Sequence, residues 1–447
     1  MQKSRKKARR KLLALSRLGC IVLFAVVMII GSVTGLLFFA RPSSSALEKR
    51  DLTTFPAITV SSFLDGSWFS QISTWYSDTY PGRDSLLAMN RVLQKAQGIT
   101  PTEQVVGGDH QADEIGKTPA EEEQPKDSLF DNRTELPDNR ALAEDIQGQI
   151  TEGLLVKDGA VYGGYYFNEA SYQTYTKAVE QAAKELEGTT SVYSILVPNN
   201  SGVVLDEQTR EKLGGSDQKQ AIDYYYSNYS DLVHPVGSID TLLDHADEYL
   251  YYRTDHHWTP LAAYYVYRNF CEIKGYEPED KETMKTFHDE PFLGSYASEL
   301  PTVDFKEDTF DAWIPNSVNT MKIFTADFGN PDSENYFENP VVNENPDIDM
   351  YSQYMRLIGG DRAFSVIDNP TINDGSSCVV VKESYGNAFV PWLVDHYDKV
   401  YVMDFREWDQ PIVPWCKEHQ ITDLILINNI QLIASPTVAD RYAMLLE

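Results

Sequence analysis

The chain has 447 residues, 42% of them hydrophobic, and a formal net charge of −29. All 67 acidic residues follow residue 40, so the chain beyond that point carries a strong negative field, which excludes nucleic acid and anionic membrane surfaces as its partners. Four cysteines without a CxxC pair indicate neither a disulfide framework nor a zinc knuckle.

Residues 1–17 contain Lys3, Arg5, Lys6, Lys7, Arg9, Arg10, Lys11 and Arg17 and no acid. The uncharged run 18–40, LGCIVLFAVVMIIGSVTGLLFFA, then predicts one membrane-spanning helix, for which about 20 apolar residues suffice. The basic flank places the amino terminus in the cytoplasm and the rest of the chain outside the cell. A cleaved signal peptide is the rival reading, with Ser43 to Ala46 as its processing site. The apolar run exceeds the roughly 7–15 residues usual for such peptides, so an uncleaved anchor is expected.

Residues 41–98 read as a membrane-proximal stem followed by an amphipathic helix carrying Leu86, Leu87, Met89, Val92 and Leu93 on one side. Residues 99–139, rich in Asp, Glu, Pro, Gly and Gln, read as a disordered acidic linker. The globular domain spans 140–447. A hairpin with its turn at Asp158-Gly159 is followed by a helix over 171–186 and an apolar strand, VYSILV, at 192–197. Helices are predicted over 218–228, 260–273, 387–396 and 412–419. Short apolar strands are predicted at CVVV (378–381), VYVM (400–403) and LILI (424–427). Buried strands alternating with helices imply an α/β fold with an open, mainly parallel sheet covered on both faces. Residues 296–370 are expected to form an irregular insertion. Cys378, inside an apolar run, is expected to be a small core residue.

Ligands of open α/β sheets bind beyond the carboxyl ends of the strands. That rule selects Asn199-Asn200, Glu383-Ser384 and Asp404 to Arg406. Ser384 stands where a buried strand turns into a helix, a position suited either to a nucleophile or to a helix cap. The stretch 251–260, YYRTDHHWTP, supplies a base and an acid together. Asp255 and His257 point the same way in an extended chain, and His256 points away. Asp255, His256 and His257 are also competent metal ligands, although no further aspartate cluster or helical HxxxH spacing accompanies them.

The segment TDHHWTPLAAYYVY resembles the signature of the bacterial DHHW protein family, which is related to the SGNH-hydrolase-like alginate O-acetylation proteins AlgJ and AlgX. WYSDTYPGRDSLL, FLGSYAS at 292–298, YMRLIGG at 354–360, KESYGNAFVPWLVDHY at 382–397 and YVMDFREW at 401–408 follow in the order expected of that family. The resemblance implies a Ser384–His257–Asp255 triad, with Glu383 standing where the family usually has aspartate. It leaves His256 and Trp258 as structural neighbours. It nominates Asn387, Asn199, Arg406 and Tyr385 for oxyanion or substrate binding, Arg406 serving equally as a salt bridge to Asp404. The implied activity is a serine O-acetyltransferase or acyl esterase without metal or other cofactor. Its partners are a cell-surface polysaccharide, an acyl donor and a membrane protein that hands over the acyl group. A non-catalytic polysaccharide-binding or assembly protein is the alternative, and a metal-dependent hydrolase the third reading.

Overall fold

The computed structural model describes residues 153–300 and 303–447 without interruption. It also describes 41–42, 44–45, 50–51, 53–58, 67–82, 85–86, 103–106, 112–116 and a few single positions. Most of the expected membrane span, most of the amphipathic helix near Leu86 and most of the acidic linker lie outside them. Among the described residues no helix is long and apolar enough to cross a membrane. The chain divides into two units, Met1–Thr100 with Ser298–Thr302, and Pro101–Ala297 with Val303–Glu447.

In the first unit, two-residue strands β1 (Ser44–Ser45) and β2 (Arg50–Asp51) pair antiparallel, and a helix covers Ser67–Asp78. Arg41 lies 4.0 Å from the centre of the Trp75 ring and donates to Thr79 Oγ1 at 2.9 Å, closing the end of that helix.

The second unit opens with a three-stranded antiparallel sheet of β3 (Glu103–Val106), β4 (Leu154–Lys157) and β5 (Ala160–Gly163). The β4–β5 turn is the expected one. Asp158 and Gly159 both have positive φ, 52° and 78°, as a two-residue hairpin turn of matching twist requires. Strand β3 falls inside the predicted linker. Its four residues gain a place by pairing with β4 rather than by an apolar pattern of their own.

Strands β6 (Ser191–Val197) and β7 (Val233–Pro235) belong to the main sheet, whereas β8 (Lys285–Phe292) and β9 (Asp308–Ile314) form a separate antiparallel ladder. The main sheet is completed by β10 (Thr320–Phe324), β11 (Tyr336–Asn339), β12 (Phe364–Asp368), β13 (Ser377–Lys382), β14 (Lys399–Asp404) and β15 (Asp423–Asn429). Its order is β11-β10-β12-β14-β13-β15-β6-β7. From β14 to β7 every neighbour is parallel, as expected. From β14 to β11 every neighbour is antiparallel, so the sheet is mixed. The antiparallel edge comes largely from 296–370, which is not irregular. Its strands are short, from the exposed β11 to the buried β12, within an acidic, Asn-rich stretch, and what orders them is pairing with distant residues, such as Met321 opposite Ile367.

Period-two alternation fills both faces of the parallel half. Val379, Val381, Leu424 and Leu426 enter one core together with Val179 and Tyr442 from the helices Glu169–Glu185 and Pro436–Leu445. Val380, Ile425, Ile427 and Ile195 enter the other with Val266 and Phe270 from the helix Pro260–Lys274. Each fully buried aliphatic side chain contributes about 1.5–3 kcal/mol, and the paired layers hold the strands in register. Cys378 is fully buried in the second core.

At the carboxyl edge, Lys382 and Asp404 are register partners of β13 and β14, and their side chains form an ion pair at 2.8 Å, both fully buried. Burial would raise the Asp404 carboxyl, but Arg406 and Lys382 outweigh burial and hold it below its usual value. The pair's contribution to stability is therefore complete above the ordinary carboxylate value of about 4 and is lost as pH falls through the lower folded value. Asp404→Asn is expected to lose on the order of 3 kcal/mol in urea unfolding of the full chain at pH 7, because it removes a charge paired with both Lys382 and Arg406 and leaves the buried lysine only Asp361, at 3.2 Å. The deficit should shrink as pH falls below about 4; a deficit independent of pH would contradict this assignment.

Candidate functional site

The chain leaves β13 through Glu383, Ser384 and Tyr385 and enters a short helix, Gly386–Phe389. A side chain at position 386 would collide with Lys382 and touch Ile427 at 3.2 Å, so only glycine lets the helix fold back over the strand. Glu383 is buried beneath this turn. Its carboxylate accepts the Tyr385 N–H at 3.0 Å, the Asn429 N–H at 2.8 Å and the Ser384 hydroxyl at 3.1 Å. Burial raises the Glu383 carboxyl above its usual range despite the opposing Tyr385 N–H and Arg406.

The histidine loop spans the isolated bridge between Tyr251 and Trp258. Buried Asp308 anchors it, accepting the Arg253 N–H at 3.0 Å, the Thr254 N–H at 2.8 Å, the Thr254 hydroxyl at 2.6 Å and the Tyr249 hydroxyl. Asp255 then closes a turn on itself. One carboxylate oxygen accepts the His257 backbone N–H at 2.9 Å and faces His257 Nδ1, while the other accepts the Ser295 N–H at 2.8 Å. Gly294 permits this approach, since a side chain there would strike the Asp255 carboxylate. Burial would raise the Asp255 carboxyl, but His257 and the Ser295 N–H more than offset it and hold it well below the usual carboxylate range. Asp255 is thus a fixed anion that orients the His257 ring and holds a proton on Nδ1, with Nε2 on the far side of the ring. That Nε2 is buried and has no hydrogen-bond partner among the described residues.

The turn overrides the extended geometry expected for 255–257. His256 does not point away: its ring centre lies 3.8 Å from that of His257, and its Nδ1 lies 2.7 Å from Ser295 Oγ. Burial, then the neighbouring His257, pushes the His256 imidazole down to about 3, so it is neutral at physiological pH. Three aromatic residues tie the loop to the serine turn. Trp258 donates from Nε1 to the Tyr385 carbonyl at 2.9 Å, and the Tyr385 hydroxyl donates to the His256 carbonyl at 2.6 Å. Tyr354 lies flat on His257, with ring centres 3.8 Å apart and planes 10° apart, and donates to the Ser384 carbonyl at 3.1 Å.

Ser384, His256 and His257 line one cavity of about 700 Å³ with Asp361 and Arg406. Phe324, Phe328 and Phe337 add an apolar wall. Arg406 grips Asp404 with Nε at 2.8 Å and Nη2 at 2.6 Å, and pairs with Asp361 at 2.9 Å. The salt-bridge reading of Arg406 therefore holds even though the residue faces the cavity. Asn387 donates to Asp361 at 3.0 Å, and its Oδ1 is buried without a partner among the described residues. Tyr385 is fully buried and packs on Trp258. Asn199 is not among the residues lining this cavity. Its amide donates to the Gly163 carbonyl at 3.0 Å and accepts from Ser201 and Gln218, so no polar atom is spare for an oxyanion.

Asp255, His256 and His257 can offer ligand atoms within 4.8 Å of one another. Both Asp255 oxygens also accept the hydrogen bonds that shape the turn. Sequence reasoning missed Tyr354, Ser295, Asp308 and Asp361. The first two sit inside YMRLIGG and FLGSYAS, and the other two stand in stretches with no local signal.

No curated protein matches the chain. Among solved structures it is similar to a DHHW family protein from Eubacterium siraeum, at 25% identity and a TM-score of 0.56, over 65% of this chain and 93% of that one. It is similar in fold to Bacillus cereus PatB1 with a sulfonyl adduct, at 13% identity and a TM-score of 0.52, over 64% and 97%. The O-acetyltransferase domain of Pseudomonas putida AlgJ is similar at 11% identity and a TM-score of 0.34, over 64% and 96%. The DHHW protein family matches residues 48–135 and 137–403, taking in the histidine loop and the serine turn: this chain belongs to the DHHW family.

Proposed function

We propose that the protein is a serine O-acyltransferase or acyl esterase acting on cell-surface polysaccharide, with Ser384 as nucleophile, His257 as base and Asp255 as its orienting anion. One observation carries the reading: His257, anchored by Asp255 and with its buried Nε2 unpartnered among the described residues, lines the same cavity as Ser384. In the reaction the Ser384 proton passes to His257 Nε2 as Oγ bonds to the ester carbonyl carbon. The resulting tetrahedral oxyanion collapses, His257 returns the proton to the departing alcohol, and an acyl-serine remains. A sugar hydroxyl or water, deprotonated by the same imidazole, then takes the acyl group. Arg406, its charge met by Asp404 and Asp361, forms a polar rim of the cavity, and the phenylalanine wall offers stacking surface for the apolar face of a sugar ring. The fold shared with PatB1, which takes a sulfonyl adduct, agrees with reactive-serine chemistry. In this reading residues 18–40 anchor the chain, 1–17 stay in the cytoplasm, and the site works outside the cell, receiving its acyl group from a donor or a membrane partner.

The test is hydrolysis of a chromogenic acetyl ester by the full chain. Ser384→Ala and His257→Ala are each expected to lower kcat/KM at least about 10³-fold, and the double variant to be no worse than either alone, since the two act as one unit. Unchanged turnover in Ser384→Ala would sink the proposal. Polysaccharide binding that persists in the double variant, with no turnover in wild type, would identify a binding protein instead. Loss of activity on chelation, with a stoichiometric metal in the purified protein, would identify a metal hydrolase.

Gly294→Ala probes the anion alone. Displacing Asp255 should cost about 10²-fold in kcat with little change in KM, because the base loses its orientation and no substrate contact is removed. Wild-type kcat in a folded Gly294→Ala variant would show that the Asp255 contact does not matter for turnover.

A further inference from the structure

We propose that Glu383 is a positioning residue that latches the Ser384 hydroxyl in a resting rotamer, away from His257, so that the nucleophile is armed only on release. The inference rests on Ser384 being the nucleophile and goes beyond it, because it concerns when that serine reacts.

A serine hydroxyl has one proton to donate. Here it goes to Glu383, at 3.1 Å, while His257 Nε2, buried and bordering the same cavity, receives nothing from the described residues. A working serine–base pair needs the opposite arrangement. The carboxylate is the fixed partner. It is 1% exposed and is pinned by the backbone N–H groups of Tyr385 and Asn429 at 3.0 and 2.8 Å. The hydroxyl is the movable partner, since one χ1 rotation carries it between staggered wells. Backbone bonds hold the Glu383 oxygen within reach of the hydroxyl, whereas the imidazole is carried by a separate loop, so Glu383 is the better-placed acceptor.

The Glu383 oxygen that holds the hydroxyl also holds the Tyr385 N–H. In hydrolases with a nucleophile elbow, the N–H of the residue after the nucleophile lines the oxyanion hole. The same latch therefore occupies the nucleophile and a natural oxyanion donor together. An acyl group entering the cavity competes with Glu383 for that N–H, and by taking it weakens the hold on the turn. Aspartate at 383, one methylene shorter, keeps its bond to the N–H two residues on, as an aspartate turn does, but withdraws from the serine hydroxyl.

The test uses phenylmethanesulfonyl fluoride on the full-length protein, with the adduct located by peptide mass. In trapping, Oγ bonds to sulfur, the sulfur–fluorine bond breaks, fluoride leaves, and the serine proton passes to His257. Glu383→Gln, whose neutral amide is the weaker acceptor, is expected to raise the first-order trapping constant about three- to tenfold with unchanged reagent affinity. Glu383→Asp should also trap faster than wild type. A merely structural role predicts equal or slower trapping in both. Equal or slower trapping in Glu383→Gln, with an unfolding midpoint matching wild type, overturns the latch; if that variant unfolds, Glu383→Asp decides by the same criterion. Absence of any adduct on Ser384 in wild type overturns both the latch and the nucleophile assignment. Trapping of wild type with neither variant faster overturns the latch alone.

Discussion

Parallel strands all release their chains at the same edge, and the serine half of the site hangs on that constraint. Lys382 ends β13 opposite Asp404 of β14 and Ile427 of β15, while Asn429 of β15 stands opposite Val197 of β6. Once this register is set by the two buried layers, Ser384, Arg406 and Asn429 must gather beyond the edge, however far apart they lie in the chain. The buried Lys382–Asp404 pair marks the limit of the sheet, and Arg406 and Asp361 extend its charge into the cavity wall.

The second half of the site has no sheet to position it. It relies on two buried carboxylates that each shape a turn by accepting backbone N–H groups, Asp308 beneath Arg253 and Thr254 and Asp255 beneath His257 and Ser295, as Glu383 does beneath Tyr385 and Asn429 in the serine turn. The device is the same in each case, but the electrostatic outcome differs. A histidine partner leaves the Asp255 carboxyl below its usual range, whereas burial leaves Asp308 and Glu383 above theirs. Trp258, Tyr385 and Tyr354 then lock the histidine loop to the serine turn through hydrogen bonds whose aromatic bodies are also core. Packing and positioning are therefore not separable here, and truncating any of these rings removes both.

Much of the fold was legible because its cause is local. The hairpin at Asp158-Gly159, the strands 192–197, 378–381, 400–403 and 424–427, and the helix from Pro260 all announce themselves through alternation, turn chemistry or an N-terminal proline, and all form close to the expected bounds. The antiparallel edge was not legible. Strands such as β11 are exposed and carry too little apolar pattern to declare themselves. In the site, Asp255, His257 and Ser384 were legible as residue types in a telling order. Asn199 was misjudged, because its position beyond a strand says nothing of the Gly163 and Gln218 groups that occupy its amide.

By itself the sequence determined which residues could take part: an acid two places before a histidine, a serine at a strand exit, glycines at 294 and 386, and a glutamate beside the serine. Composition and spacing are properties of the chain, and they survive without a fold. Only the tertiary structure decided how those residues are used. It curled Asp255 onto His257 instead of extending it, laid Tyr354 across the imidazole, turned Ser384 toward Glu383, and left Nε2 without a partner among the described residues. The physical reason is that a hydrogen bond is settled by competition among every donor and acceptor brought within reach, and most of those competitors lie tens to hundreds of residues away in the chain.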